Sequence, residues 1–194
     1  MDTGELESAL KGTLGNLVNY VGVFSSDEVA KIRLPLQRDK ATVLIANTLE
    51  SSSDVSNIGH WVCFYIAKSP ENNIIFFDSY GISPEIHTDH FNSFFIRNKE
   101  FKVFVFKKQI QPDLSYKCGL YVLYFIHRIS HYGLKQALLK MRSSFSIRSL
   151  LKNDRLVVRY YFTYLKRRRC SEWKIGEKRA ITYRECIKAG RIHK

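Results

Sequence analysis

The chain has 194 residues, 45% of them hydrophobic and 13% aromatic, and a formal net charge of +13 at pH 7. This length and composition favour one globular domain and exclude an intrinsically disordered chain. No apolar run approaches the ~20 residues that a bilayer crossing needs, and the polar N-terminus does not resemble a signal peptide, so we expect neither membrane contact nor secretion.

The predicted elements alternate between helices and strands. A short helix is expected over residues 4–12. Runs rich in β-branched and aromatic residues then predict four strands, 42–48, 60–67, 74–78 and 101–106. Turn-forming residues, including Pro70, separate the second and third of these strands, which therefore predict a β-hairpin.

Two longer helices are predicted in the second half of the chain. Residues 118–131 are apolar at nearly every position, and Gly133 is expected to stop this central helix. Residues 154–169 predict another helix, with Asp154 as its N-cap and a basic run at its end. The sequence thus predicts an α+β fold, with a mixed β-sheet flanked by helices.

Polar residues at the ends of these elements suggest a site. His60 opens one strand of the hairpin and Asp78 closes the other, so antiparallel pairing brings them to the same end of the sheet. Cys118 begins the central helix, where unpaired backbone amides and a nearby imidazolium would lower the pKa of a thiol. Gly119 leaves room for a substrate carbonyl. This pattern favours a cysteine nucleophile assisted by histidine and aspartate.

Each of these residues also has a structural interpretation. A free cysteine such as Cys118 is often core filling, and His60 could bond only to the backbone. Asp78 is also a common turn residue. Gln111 could be loop filler, with Gln109 as a competing donor two positions earlier. The order of the residues along the chain, and the elements that carry them, favour the catalytic interpretation.

The same residues resemble the adenain family, the maturation proteases of adenoviruses. His60-Trp61, Asp78, and Gln111 seven positions before Cys118-Gly119 follow the order of that family, whereas papain-like enzymes place the cysteine first. The wider clan includes SUMO-deconjugating proteases and the adenain-like proteases of virophages and Polinton-type elements. The resemblance covers roughly residues 40 to 130.

The resemblance implies a cysteine endopeptidase that cleaves viral capsid or core precursor proteins. His60 would be the general base and acid, Asp78 its orienting partner, and Cys118 the nucleophile. The Gln111 side chain and the Cys118 backbone N–H would hold the oxyanion. Trp61 would pack against the site and line the substrate groove, although an aromatic at a strand edge is usually core. The expected location is the virion and the host cell interior, in cytoplasm or nucleus.

The sequence departs from the adenain pattern at two points. Adenain commonly has Glu where this chain has Asp78, as the SUMO proteases do, so the carboxylate is kept with a shorter reach. Adenain is also activated by a peptide that forms a disulfide with a cysteine upstream of the glutamine. Because no cysteine lies between Cys63 and Cys118, we do not expect that form of activation.

The remaining cysteines and histidines indicate neither a disulfide framework nor a metal. The scattered cysteines favour a reducing compartment, with Cys63 expected to be buried and inert and Cys170 and Cys186 left undecided. His127 and His131 are four apart on a helix but have no acidic or thiol ligand nearby. His87 and His90 lie in a predicted polar connection. Both pairs are therefore interpreted as packed or solvated, and the chemistry is expected to need no cofactor.

The positive charge is concentrated at the C-terminal end. Residues 155–194 contain 13 Lys and Arg against 3 acidic residues, a net charge of +10 that leaves +3 for the first 154 residues. Such a cluster is typical of nonspecific DNA binding, although it could also be a solvated end. The proposed contacts are Lys166, Arg167, Arg168 and Arg169. The resemblance agrees, since adenain uses DNA as a sequence-independent cofactor.

We expect the chain to be a monomer, with one domain over 1–194 and a basic helical part over about 154–194.

Three hypotheses follow for its function. The first is the endopeptidase. The second is an isopeptidase that removes a ubiquitin-like modifier with the same residues, which needs about 800 Å² of interface per partner. The third is a non-enzymatic, basic nucleic-acid-binding protein with a structural thiol. An active-site thiol probe separates the third hypothesis from the other two.

Overall fold

The structure is a computed structural model that describes residues 3–14, 17–54, 57 and 59–165. Its strands are β1 Asn19–Phe24, β2 Thr42–Asn47, β3 Trp61–Ile66, β4 Asn73–Phe77 and β5 Lys102–Val105. Its helices are α1 Thr3–Leu14, α2 Ser26–Ala30, α3 Pro84–His87, α4 Asp89–Arg97, α5 Cys118–Ser144 and α6 Leu150–Tyr160. A π-helical segment, Tyr161–Leu165, follows α6.

The five strands form one mixed sheet in the order β1-β2-β3-β4-β5. The central pairs, β2 with β3 and β3 with β4, are antiparallel, whereas β1 pairs with β2 and β4 pairs with β5 in parallel. The predicted α+β fold, with a mixed sheet flanked by helices, is therefore confirmed. The predicted hairpin is β3 and β4. The edge strand β1 was not predicted.

Both faces of the sheet are covered, which explains why its central strands are apolar at nearly every position. Successive side chains of a strand point to opposite faces. Cys63 and Phe77 lie on the face that packs against α1, α5 and α6, while Phe64 and Phe76 lie on the face that packs against α2 and α4. The ring of Phe77 stacks on that of Phe125 in α5, with centroids 4.2 Å apart. This contact fixes α5 against the centre of the sheet.

One prediction about the helices is confirmed in part and another is wrong. The backbone of Gly133 is not helical, with φ 72° and ψ 166°, so the helical run from Cys118 is broken there as predicted, but a second helical stretch that was not predicted continues α5 to Ser144. The continuation is stabilised because Ala137 and Met141, beyond Gly133, are buried in the core. Asp154 is not an N-cap, because α6 already begins at Leu150. The buried carboxylate of Asp154 instead makes the tertiary contacts described below. Residues 166–169 lie outside the described part of the chain.

The segment between β4 and β5 is helical and not the predicted polar connection. It contains α3 and α4, and Phe91 and Phe94 of α4 are fully buried against Phe64. Within the described ranges, no helix combines the length and the apolar character that would let it traverse a membrane.

Candidate active site

The hairpin brings His60 and Asp78 together at one end of the sheet. The antiparallel register pairs Cys63 with Phe77, so the residue before β3 and the residue after β4 meet at the same edge. His60 Nε2 lies 2.6 Å from Asp78 Oδ1. The backbone of His60 is held as well, since its N–H donates to Thr48 Oγ1 at 3.0 Å and its carbonyl accepts from the Thr48 N–H at 2.9 Å.

Cys118 is the first residue of α5, which packs against β3. The residue is 9% exposed, and its thiol interacts with the His60 side chain and with the backbone N–H groups of Trp61 and Gly119, which lower the thiol pKa. Because Nε2 of His60 contacts Asp78, the other ring nitrogen, Nδ1, is left for the thiol. Cys118, His60 and Asp78 therefore lie in series, with a hydrogen bond between His60 and Asp78.

Burial opposes the charged forms of His60 and Asp78, but their mutual interactions outweigh it. Desolvation alone would lower the pKa of His60, yet its hydrogen bonds with Asp78 and Cys118 raise that pKa to about 9. Burial would raise the pKa of Asp78, yet hydrogen bonds from two histidines hold it below its ordinary range. The site thus favours an imidazolium next to a carboxylate at neutral pH.

The two described cysteines differ in how their surroundings shift the pKa of the thiol. Burial would raise the pKa of Cys118, but the hydrogen bond and charge of His60, followed by the backbone amides, lower it. Cys63 is fully buried in β3, and desolvation alone raises its pKa. Only the thiolate is a strong nucleophile. Of the two described cysteines, Cys118 is therefore the one whose environment favours the thiolate, and Cys63 is buried, as its position in a strand predicted.

Asp78 accepts four hydrogen bonds, of which the sequence predicted only the one from His60. Oδ1 accepts from His60 Nε2 and from the Tyr80 N–H at 2.9 Å, while Oδ2 accepts from the Ile82 N–H at 3.0 Å. The additional partner is His87, whose Nε2 lies 3.0 Å from Oδ2. The sequence placed His87 in a polar connection, and no local pattern pointed from it to Asp78.

Gln111 lies in the loop before α5 and is fully buried. Its Oε1 accepts from Ser79 Oγ at 2.6 Å, while its Nε2 donates to the Ser115 carbonyl at 2.6 Å and to the Tyr80 hydroxyl at 3.0 Å. The Tyr80 ring lies 4.7 Å from the ring of His60. Gln111 therefore reaches the site through Tyr80.

Gln109 is placed differently. Its side-chain amide donates to Asp113 Oδ1 at 2.6 Å and to the carbonyl of Gln111 at 3.1 Å, away from the buried site.

The loop that carries both glutamines runs close to Gly81, whose φ is 71°. A Cβ atom added at Gly81 would lie 2.7 Å from the Lys108 carbonyl carbon. A residue with a side chain at position 81 would therefore displace the loop that carries both glutamines.

A second buried carboxylate, Asp154 of α6, holds the end of the same loop. Its Oδ1 accepts from Ser115 Oγ at 3.0 Å and from the Tyr121 hydroxyl at 2.9 Å. Its Oδ2 lies 3.2 Å from Lys117 Nζ. These contacts fix the two residues that lead into Cys118 and the first turn of α5.

Trp61 lines an open cleft together with Val23, Phe24 and Leu49. Its side chain belongs mostly to the core that includes α5, since only 8% of it is exposed. Trp61 directly follows His60 in the chain, and its expected packing against the site and its place in a substrate groove stay predictions.

One set of described side chains has the atoms and spacing for a metal ion. The ligand atoms of His60, Asp78 and His87 lie within 4.8 Å of one another and are of types that Zn²⁺ accepts. Both oxygens of Asp78 already accept hydrogen bonds from this set. His127 and His131, the pair weighed from the sequence, stack on each other at 4.1 Å, and His127 Nδ1 bonds to the Tyr160 hydroxyl at 2.5 Å.

Compared with models of known protein families and with the sequences of curated proteins, the chain has no match. The functional assignment below therefore depends on the geometry of the site and on the sequence pattern that produces it.

Proposed function

We propose that the chain is a cysteine endopeptidase with an adenain-like fold, in which Cys118 is the nucleophile at the N-terminus of α5. The observation that carries the proposal is the placement of the Cys118 thiol, at the start of α5, beside His60, whose Nε2 lies 2.6 Å from Asp78 Oδ1. The order of these residues along the chain, with Gln111 before the cysteine, resembles adenain and supports the same assignment.

The proposed reaction begins from the Cys118 thiolate and the His60 imidazolium. The thiolate attacks the carbonyl carbon of a peptide bond, and the carbonyl electron pair moves onto oxygen. The C–N bond then breaks as His60 gives its Nδ1 proton to the leaving amine, which leaves a thioester on Cys118. Water attacks the thioester while His60 takes its proton, and the thiolate is released. Asp78 accepts the Nε2–H of His60 throughout and holds the ring in place.

The proposed oxyanion site consists of the Cys118 backbone N–H and the Gln111 side chain. Both Nε2 hydrogens of Gln111 are used in the structure, by the Ser115 carbonyl and the Tyr80 hydroxyl. The role therefore requires Gln111 to exchange one bond for the oxyanion. The bond to Tyr80, at 3.0 Å, is longer than the 2.6 Å bond to Ser115 and is the one we expect to be exchanged.

The proposed substrates are capsid or core precursor proteins, and the proposed location is the virion and the infected cell. We also propose DNA as a partner, bound by Lys166, Arg167, Arg168 and Arg169. Replacing all four with Gln should reduce the slope of log affinity against log salt concentration by up to about 4 units. An unchanged slope would place DNA binding elsewhere.

The endopeptidase proposal is tested by incubating the full chain with candidate capsid and core precursors and sequencing the new termini. The matched control is Cys118→Ala. A ubiquitin-like modifier joined to lysine by an isopeptide bond serves as a second substrate, since cleavage of that bond alone would favour the isopeptidase. If neither substrate is cut and a thiol probe labels Cys118 no faster than an ordinary thiol, the proposal is wrong.

A further inference from the structure

We infer that His87 is a positioning residue of this site: its imidazole holds Asp78 so that Asp78 can hold His60. The inference rests on the proposed function, because it assigns His87 a part in the same reaction. The motif that resembles adenain does not include His87, and the residue lies nine positions beyond Asp78 in the sequence.

The two imidazoles bind opposite oxygens of one carboxylate. His60 Nε2 lies 2.6 Å from Oδ1 of Asp78, and His87 Nε2 lies 3.0 Å from Oδ2. Since an ionised carboxylate only accepts hydrogen bonds, each histidine carries its hydrogen on Nε2 at this contact. For His60 this tautomer leaves Nδ1 to face the thiol. The carboxylate is thus fixed at both ends, and the ring of His60 is fixed through it.

The number of donors explains why the contact with His87 matters. Asp78 is fully buried, so no solvent replaces a lost donor. Without His87, Oδ2 would retain only the Ile82 N–H among the donors described above. The terminal torsion of an aspartate is broad, with no sharp staggered preference. We therefore expect the Asp78 carboxylate to rotate more widely, and the His60 ring to follow it.

The packing of His87 is too close for a freely turning side chain. His87 ends α3 and its side chain is 10% exposed. Its ring lies 5.6 Å from the ring of His60, nearly parallel to it, and 6.3 and 6.4 Å from the rings of Phe76 and Phe91. An imidazole placed among aromatic rings needs a hydrogen bond to offset the loss of water, and Asp78 supplies it.

His90 provides a matched comparison three residues away. Its Nε2 also contacts a carboxylate, Glu50 Oε1, at 2.9 Å. That pair is more exposed, with 34% of the His90 side chain and 53% of the Glu50 side chain accessible. Neither member contacts Asp78 or Cys118 in a described hydrogen bond. His90 therefore tests whether loss of any histidine–carboxylate pair in this region has the same effect.

The experiment uses the full chain and three variants. His87→Leu removes the donor at similar volume, His87→Gln keeps an N–H near the position of Nε2, and His90→Leu is the control. Each variant is measured for kcat and KM on a cleaved peptide and for thermal stability. The rate at which iodoacetamide alkylates Cys118 at pH 7, followed by mass spectrometry on the peptide that contains it, gives a readout that needs no substrate.

We expect His87→Leu to lower kcat by about 10- to 100-fold, the range found when residues that orient metal-binding histidines are lost, with KM changed by less than about twofold. Alkylation of Cys118 should slow as well, because a less fixed His60 stabilises the thiolate less. His87→Gln should recover most of both rates, and His90→Leu should match the original chain.

Two results would overturn the inference. One is a His87→Leu variant that keeps its kcat and alkylation rate per folded molecule, whatever its thermal stability. The other is a His87→Gln variant as impaired as His87→Leu. Failure of the proposed function looks different, because the original chain would then cut no substrate, or Cys118→Ala would cut it as fast as the original chain. An inactive Cys118→Ala with a fully active His87→Leu refutes the role of His87 alone.

Discussion

Asp78 and Asp154 are both buried carboxylates that accept several hydrogen bonds, but their partners differ in kind. Asp78 contacts the imidazoles of His60 and His87, the type of side chain that most often serves as a general acid or base. Asp154 contacts two hydroxyl groups and the ammonium of Lys117, to which the proposed reaction gives no role. Burial and the number of hydrogen bonds do not distinguish the two carboxylates, whereas the type of partner does, and under the proposed function it is the carboxylate with imidazole partners that takes part in the reaction.

The two regions are linked by one stretch of loop. Ser115 donates its hydroxyl to Asp154, and its carbonyl accepts from the side chain of Gln111. Asp154 therefore acts on the site only through the position of the loop, whereas Asp78 acts on the proton of His60. Substitutions in the first region should change stability more than chemistry, and substitutions in the second should do the reverse.

The largest effect is expected at Cys118, which interacts with Asp78 through His60. Cys118→Ala or Cys118→Ser should lower peptide cleavage by on the order of 10⁴-fold or more, because the nucleophile is lost and the members of such a site act as a unit. The fold should remain, since the change removes or replaces one atom. Cleavage rate and thermal unfolding measure the two effects separately.

Cys63→Ala is the control for that prediction. Cys63 is fully buried in β3, so its loss opens a small cavity and should cost about 1–2 kcal/mol of unfolding free energy while cleavage continues. If the Cys118→Ala protein still cut substrate at the normal rate, the region around Asp78 would not be the active site, and the histidine partners of Asp78 would not mark it.

The next largest effect is expected in the loop that joins the two regions. Gln111→Ala should lower kcat by roughly 10²–10³, the usual effect of removing one oxyanion donor. Gln109→Ala should have little effect, since its amide contacts Asp113. Steady-state kinetics on one peptide decides between them. The opposite result, with Gln111→Ala active and Gln109→Ala impaired, would assign the role to the other glutamine.

The comparison between the two carboxylates can be tested directly. Asp78→Asn should lower kcat by on the order of 10²-fold, at the lower end of the range for general acid–base catalysis, because Asp78 acts through His60. Asp154→Asn should cost about 1–3 kcal/mol of stability, chiefly because a neutral amide accepts the buried hydrogen bonds from Ser115 and Tyr121 less well, and should change kcat little. Kinetics and thermal unfolding of both variants give the answer. Equal losses of kcat would contradict the distinction.

How far the sequence could predict the site depended on whether a contact followed from regular structure. His60 and Asp78 could be placed together because antiparallel pairing brings the start of one strand beside the end of the next. The beginning of α5 at Cys118 could be placed because a long apolar run follows a polar, proline-bearing loop.

The contacts that were missed depend on turns and on long-range packing. His87 reaches Asp78 because the chain turns through Gly81, at a φ of 71°, before entering α3. Asp154 looked like an N-cap because aspartate is favoured there, whereas its partners lie more than 30 positions away in the sequence. No local pattern encodes such a pairing.

The smallest expected effect is the alkaline loss of stability from the Asp78 region. Burial opposes the His60 charge, but hydrogen bonds with Asp78 and Cys118 raise the pKa of His60 to about 9 in the folded chain, against about 6.5 in an unfolded chain. The folded state therefore binds this proton more tightly. Its contribution to stability is complete below about pH 6.5 and is lost as the pH rises through about 9.

Thermal unfolding between pH 6 and 10 measures this loss, at roughly 2–4 °C in Tm for each kcal/mol in a domain of this size. His60→Gln should remove this part of the decline because the titrating group is gone. Asp78→Asn should reduce it, since the carboxylate no longer holds the imidazolium. Asp154→Asn should keep the decline while lowering Tm at every pH. If Asp154→Asn abolished the alkaline decline and Asp78→Asn preserved it, the titrating region would be the one around Asp154, and the distinction between the two carboxylates would be reversed.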